Sequence, residues 1–213
     1  MKKKLLIFCI IGTLIISNLM TGCVKIVKAG DEAQLNQDNS SKAIDISEKW
    51  ESDIVPELKE KSVDLTTLLT EAKGDISSVG DKYAKKLQGT DGNLNFTVKG
   101  TGTIESINTE SRAGYIQIKL SGYIGQEVIK IQVGPVFKGT AVRDSSDIIK
   151  LNDYNNQVDY ANASTDILNK ISQTTLKELD IVSLKGKEID FIGCFTFDKP
   201  SELLITPIEL KEK

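Results

Sequence analysis

The sequence predicts an α+β protein: a helical N-terminal part packed on an antiparallel OB-like β-barrel with one helix between its third and fourth strands. Three observations predict it. Apolar residues recur at helical spacing from Ala43 to about Gln88 and at a spacing of two after Asn93. Three alternating segments are followed by a helical one at Tyr160–Leu179, and two further strands close the chain. Three strands, a helix and two strands is the order of the five-stranded OB-type barrel.

Residues 1–22 have the make-up of an export signal. Lys2, Lys3 and Lys4 form a positive start, and Leu5–Ile16 is an apolar run broken only by Gly12 and Thr13, shorter than the roughly 20 residues a spanning helix needs. The run ends in Leu19-Met20-Thr21-Gly22-Cys23, which resembles the bacterial lipobox, with Met20 where Leu is usual. Cys23 is therefore the expected lipid attachment point. A cleaved signal and an uncleaved anchor both put the body outside the cytoplasm, on the extracytoplasmic face of a cell membrane.

Removing the signal takes three lysines from 27 basic residues and leaves 24 against 30 acidic ones, a net of −6. Such a surface disfavours nucleic acid and charge-driven binding to anionic lipid. The chain contains no histidine, which excludes Ser-His-Asp and Cys-His catalysis, histidine zinc sites and a histidine pH switch. Cys9 leaves with the signal and Cys23 is acylated, so Cys194 stands alone and no disulfide forms within the chain. Cys194 lies in the strand-like run KEIDFIGCFTF and is expected to be a buried, inert thiol. No cofactor is expected.

Residues 23–42 form the lipid anchor and a polar tether, which would hold the domain some 25 Å from the bilayer as a random coil. Val24, Ile26 and Val27 also fit an edge strand. The helical segment, residues 43–90, begins with Ile44, Trp50, Ile54 and Leu58 on one stripe, with Trp50 as packing anchor and Pro56 expected to kink or split the helix. Val63, Leu65, Leu68 and Leu69 predict a second short helix ended by Gly74. Ile76–Leu87 predicts a third, broken by Gly80.

The barrel domain, residues 91–213, opens at the turn signal Thr90-Asp91-Gly92-Asn93. Leu94, Phe96 and Val98 begin the first strand, Gly100-Thr101-Gly102-Thr103 suggests a bulge, and Ile104 and Ile107 continue it. That Gly-x-Gly is no nucleotide loop, since the third glycine and the Lys-Ser/Thr are absent and strand follows where a helix is needed. Tyr115–Leu120 and Val128–Val133 are the next strands, and Ile148–Leu151 reads as a short strand within a loop. Tyr160–Leu179 is the helix expected to cap one end of the barrel. Ile189–Phe197 and Leu203–Leu210 close the chain, Pro207 implying an edge or a bulge.

The stretch Gly134–Gln157, GPVFKGTAVRDSSDIIKLNDYNNQ, holds the candidate site. Arg112 and Arg143 are the only arginines, and the planar five-donor fork of Arg143 beside Asp144, between two glycine-marked turns, suits bidentate bonding. Asn152, Asn156 and Gln157 follow, with Tyr154 among them; amides, a carboxylate and an aromatic face are groups that recognise polyhydroxylated molecules. The same residues also build turns, so a purely structural loop is the competing reading. Asp153–Asp159 places oxygens at alternate positions, yet Val158 and Ser164 stand where a calcium loop needs Gly and Glu, so no metal site is assigned.

Trp50-Glu51-Ser52-Asp53-Ile54-Val55-Pro56, the run Gly134–Asp144 and the run Asn152–Gln157, together with the lipobox, resemble an uncharacterised family of predicted periplasmic lipoproteins found beside sugar-uptake ABC transporter genes. Leu151 and Tyr154 depart from the aromatic residues, Phe in particular, expected at those positions. The resemblance implies an extracytoplasmic accessory to carbohydrate transport and carries over Arg143, Asp144, Asn152, Asn156 and Gln157 as ligand or partner contacts. The expected function is thus a membrane-anchored, non-enzymatic binding or accessory module, its partners the membrane through Cys23 and a sugar or transporter component. An envelope protein that docks another protein is the alternative, and a carbohydrate-active enzyme a further one.

Overall fold

The computed structural model describes residues 44–86 and 93–213. The export signal, Cys23, the tether and most of the Thr90–Asn93 turn lie outside the described residues.

Asp45 accepts the amides of Ser47 and Glu48, at 2.8 and 3.2 Å, and so opens α1, Ile46–Lys49. A π turn at Trp50–Ile54 leads into α2, Val55–Lys61. Pro56 accounts for the widening. It has no amide to offer the carbonyl four residues back and its ring crowds that carbonyl, while the Val55 amide bonds Trp50 five residues back. The expected split is therefore a bulge in a continuing helical run, whose buried face carries Ile46, Trp50, Ile54 and Leu58.

Asp64 caps α3, Leu65–Ala72, by accepting the Thr67 amide at 2.7 Å. A 3-10 turn at Ile76–Val79 and the short α4, Gly80–Tyr83, follow. Two strands interrupt what was predicted as wholly helical: β1, Val63–Asp64, and β2, Ala84–Lys86. Both pair with β3, Leu94–Asn108, β1 parallel and β2 antiparallel. The cause is tertiary. The first half of β3 pairs with another strand on one side only, and these segments take up the backbone groups of its other side.

The remaining strands are β4, Tyr115–Leu120, β5, Val128–Gln132, β6, Glu188–Thr196, and β7, Glu202–Glu212. The order β3-β4-β5-β7-β6 closes on itself because β6 pairs back to β3. Five strands in a closed ring cannot alternate direction throughout, so one neighbouring pair must be parallel. That pair is β5 and β7, from Val128↔Glu202 to Ile131↔Ile205, which corrects the expectation of an antiparallel barrel. The irregularity in β3 falls between Ile104 and Ser106, leaving Glu105 as the extra residue, and not at Gly100–Thr103. Pro207 sits opposite Gly193 at the register shift of β6 and β7, as a bulge should.

Two helices, not one, join β5 to β6: α5, Ala141–Ser145, and α6, Gln157–Thr174. Leu151–Asp153 forms a 3-10 turn where a strand was expected to end. Nor does α6 cap the barrel. Strand β6 is apolar on both faces: Ile189, Phe191 and Phe195 point into the ring with Phe96 and Ile116, whereas Ile192 and Cys194 point out. Outside the ring, Cys194 and Ile208 meet Trp50, Ile54, Ile167 and Ile171, so α6 and the N-terminal helices form a second layer on the flank of the ring.

Candidate functional site

Arg143 and Asp144 lie in α5 and not in a turn. Their side chains are 12% and 9% exposed, and Arg143 Nε donates to Asp144 Oδ1 at 2.8 Å. The other carboxylate oxygen, Oδ2, accepts the Thr140 hydroxyl at 2.5 Å. The guanidinium lies 4.0 Å from the centre of the Tyr160 ring and donates from its NH1 to the Tyr160 carbonyl at 3.3 Å. Tyr160 in turn meets Tyr154 edge-on at 5.5 Å between ring centres. Burial pushes both phenols above their ordinary pKa, which keeps them as neutral packing groups.

This cluster is closed. The space bounded by Thr140, Val142, Arg143, Ser164, Ile167 and Thr206 has no room for a water molecule. The amides expected to converge on Arg143 point elsewhere. Asn152 is exposed in the 3-10 turn, and Asn156 is the exposed N-cap of α6, its Oδ1 accepting the Asp159 amide at 2.9 Å and its Nδ2 donating to Asp159 Oδ2 at 2.9 Å. Gln157 is exposed in the first turn of α6. The structure therefore joins Arg143 to Asp144, and Asn156 to Gln157 by sequence, but it does not bring the two groups into one pocket. Tyr160 and Thr140, which complete the Arg143 cluster, were not among the expected residues.

A second polar cluster was also missed. Glu57 Oε2 accepts the Ser146 hydroxyl at 2.6 Å and Oε1 accepts the Asp147 amide at 2.6 Å, while Lys61 pairs with both Glu57 and Asp147. Lys85 of β2 reaches Asp147 at 3.1 Å. These groups tie α2 and β2 to the segment that follows α5. The long sequence separation of the partners leaves no local signal from which the cluster could be read.

The open concavities lie away from Arg143. One of about 760 Å³ runs between the end of α3 and the β4–β5 loop and is lined by Lys73, Tyr123, Ile124, Glu127 and Ser201. A groove of about 470 Å³ follows Lys99, Asp190, Glu209 and Lys211 on the outside of the ring. Among the described residues no group of three or more carboxylates or thiols is placed to hold a metal ion, and no helix is long and apolar enough to cross a membrane.

The strand ring, with β1 and β2 added to it and a helical layer on its flank, makes this an OB-like fold. The chain is similar to a crystallised OB-fold protein from Thermotoga maritima, with a TM-score of 0.58 and 18% identity over 78% of this chain and 97% of the other. The chain belongs to the family of predicted periplasmic lipoproteins DUF2291, whose model matches residues 13–211. No curated protein matches it. As a lipoprotein of this family it is held to a membrane by a lipid, on the extracytoplasmic side.

Proposed function

We propose that the chain is a non-enzymatic docking module of a carbohydrate-uptake system, with Cys23 carrying the lipid and the 151–158 surface contacting a protein component of the transporter. The observation that supports it is the division within the candidate stretch. Arg143 and Asp144 are used up in a closed structural cluster, whereas Leu151, 46% exposed, and Val158, 68% exposed, stand on the surface with Asn152, Asn156 and Gln157. Apolar side chains interleaved with amides on an exposed segment suit a protein surface better than a sugar, which needs an enclosing pocket. The transporter as partner class rests on the resemblance of the Gly134–Asp144 and Asn152–Gln157 runs. A non-enzymatic role fits a chain without histidine whose Cys194 is buried, its thiol pushed up to about 11.

The test is binding of the lipidated protein to purified components of a sugar ABC transporter from the same cell. Val158→Asp should weaken the complex about tenfold, the worth of one well-buried aliphatic contact. Val182→Asp, at another exposed position, should leave it unchanged. Equal binding by wild type and Val158→Asp would sink the reading, as would a monosaccharide-induced thermal shift that Asn156→Ala abolishes.

A further inference from the structure

We propose that the β4–β5 loop is a second membrane contact, inserting Ile124 into the bilayer that the lipid already holds nearby. Ile124 is 102% exposed, beyond the other exposed apolar side chains Val136, Leu151, Val158 and Val182. Its loop is built to present it. Gly122 turns the chain at φ 74°, and Tyr123 folds back against the ring core with its hydroxyl donating to Glu127 at 2.7 Å. Gly125 then passes so close over Tyr123 that a Cβ there would lie 2.3 Å from two ring atoms and from the Glu127 carboxylate. Tyr123 and Glu127 are thus tied to each other against the ring, and Ile124 is left as the apolar side chain pointing out, beside exposed Gly125 and Gln126.

The occupant follows from the anchor and from the chemistry of the tip. Residues 24–43 separate Cys23 from the described domain, and at about 3.4 Å per residue they cannot exceed about 70 Å. The domain therefore never leaves the vicinity of the bilayer, and a contact too weak to recruit a free protein is sufficient to orient a tethered one. Gly122, Tyr123, Ile124 and Gly125 carry no charge, Glu127 is bonded to Tyr123, and exposed Lys73 stands at the rim of the same concavity, where a headgroup phosphate would meet it. The loop leaves one end of β5 and the 134–140 segment leaves the other, about 15 Å away. Contact through Ile124 turns that second end away from the membrane.

The test uses the full lipidated protein in phosphatidylcholine–phosphatidylglycerol vesicles, with an environment-sensitive fluorophore on Ile124→Cys or, as control, on Val182→Cys. Labelling is site-specific because Cys23 is in thioether linkage and Cys194 is buried. The label at 124 should shift to the blue and be quenched by brominated acyl chains, and the label at 182 should do neither. A label at 124 that stays in water, quenching equal at both positions, or a shift that appears only when a transporter protein is added would each overturn the proposal. A thermal melt of each labelled protein matching wild type ensures that the comparison concerns the folded domain.

Discussion

The guanidinium of Arg143 is sandwiched between the Asp144 carboxylate at 2.8 Å and the face of Tyr160 at 4.0 Å. The arrangement uses the planar side chain twice, as a hydrogen-bond fork and as a stacking surface. Arg143→Ala leaves Asp144 buried without its counter-charge, and chemical denaturation should show a loss on the order of 3 kcal/mol. Arg143→Lys keeps the charge but not the plane and should fall between the two. A melt of Arg143→Ala equal to wild type would show the pair to be ornamental.

Asn156 has a capping role that is separable from any contact role. Asn156→Ala should cost about 1 kcal/mol, because the Asp159 amide loses its acceptor, whereas Asn156→Ser should cost less, since its hydroxyl can both accept that amide and donate to the Asp159 carboxylate. If partner binding runs through the Asn156 side chain, Asn156→Ser will recover stability without recovering affinity. Urea melts read beside binding isotherms distinguish these outcomes.

Gly193 tests the register of β6 and β7. A Cβ at this position would lie 2.6 Å from Ile205 Cγ2 and 2.6 Å from the Thr206 carbonyl oxygen, and the carbonyl cannot rotate away. Gly193→Ala should cost about 1–3 kcal/mol, as overpacked cores do. A neutral result would mean that the strands do not meet where Pro207 bulges.

Asp147 contributes to the acid limb of stability. The hydrogen bond from Lys61, with Lys85 adding to it, holds the Asp147 carboxyl below its ordinary value near 3.8. A folded pKa below the unfolded one means that the stabilisation is complete above about pH 4 and is lost as pH falls through the folded value. Asp147→Asn should therefore flatten the decline of unfolding free energy below pH 4. Because Asp147 is largely exposed, the loss at pH 7 should stay within about 0–1 kcal/mol.

Cys194 provides a kinetic check. Burial pushes its thiol up to about 11, so at pH 8 almost no thiolate exists in the folded protein and no reagent can reach the sulfur. A chromogenic disulfide should react with the lipidated protein, whose Cys23 sulfur is in thioether linkage, only at the rate of unfolding, and at once in denaturant. Rapid reaction of the native domain would contradict the two-layer packing over β6.

The strands were legible where one chain segment carries the whole signal. Tyr115–Leu120 alternates because one face is buried, and its bounds match those of β4. Val63–Asp64 and Ala84–Lys86 gave no such signal, because they are extended only where the free side of β3 offers them partners. Gly193-Cys194-Phe195 was readable as strand, but that both faces of it would be covered depends on where α6 lands. Within the candidate stretch the arginine, its neighbouring carboxylate and the amides were visible as residue types. Tyr160 was not readable as the partner of Arg143, since 17 residues and a 3-10 turn separate them. Asn156 and Asp159 did carry a local signal, an amide three residues ahead of an acid at the start of a helical pattern, which marks a helix cap more specifically than a binding amide.

The first described element is a helix held by Ile46 and by Trp50, which is 1% exposed, and the lipid attachment lies upstream of it. A pull on the lipid would reach the described domain at this helix end. Side-chain packing at one end of a helix yields turn by turn, whereas the β3–β6 ladder, continuous from Asn95↔Thr196 to Thr103↔Glu188, must break many bonds together. Under such a pull the packing of Ile46 and Trp50 would yield before the ladder of the ring does.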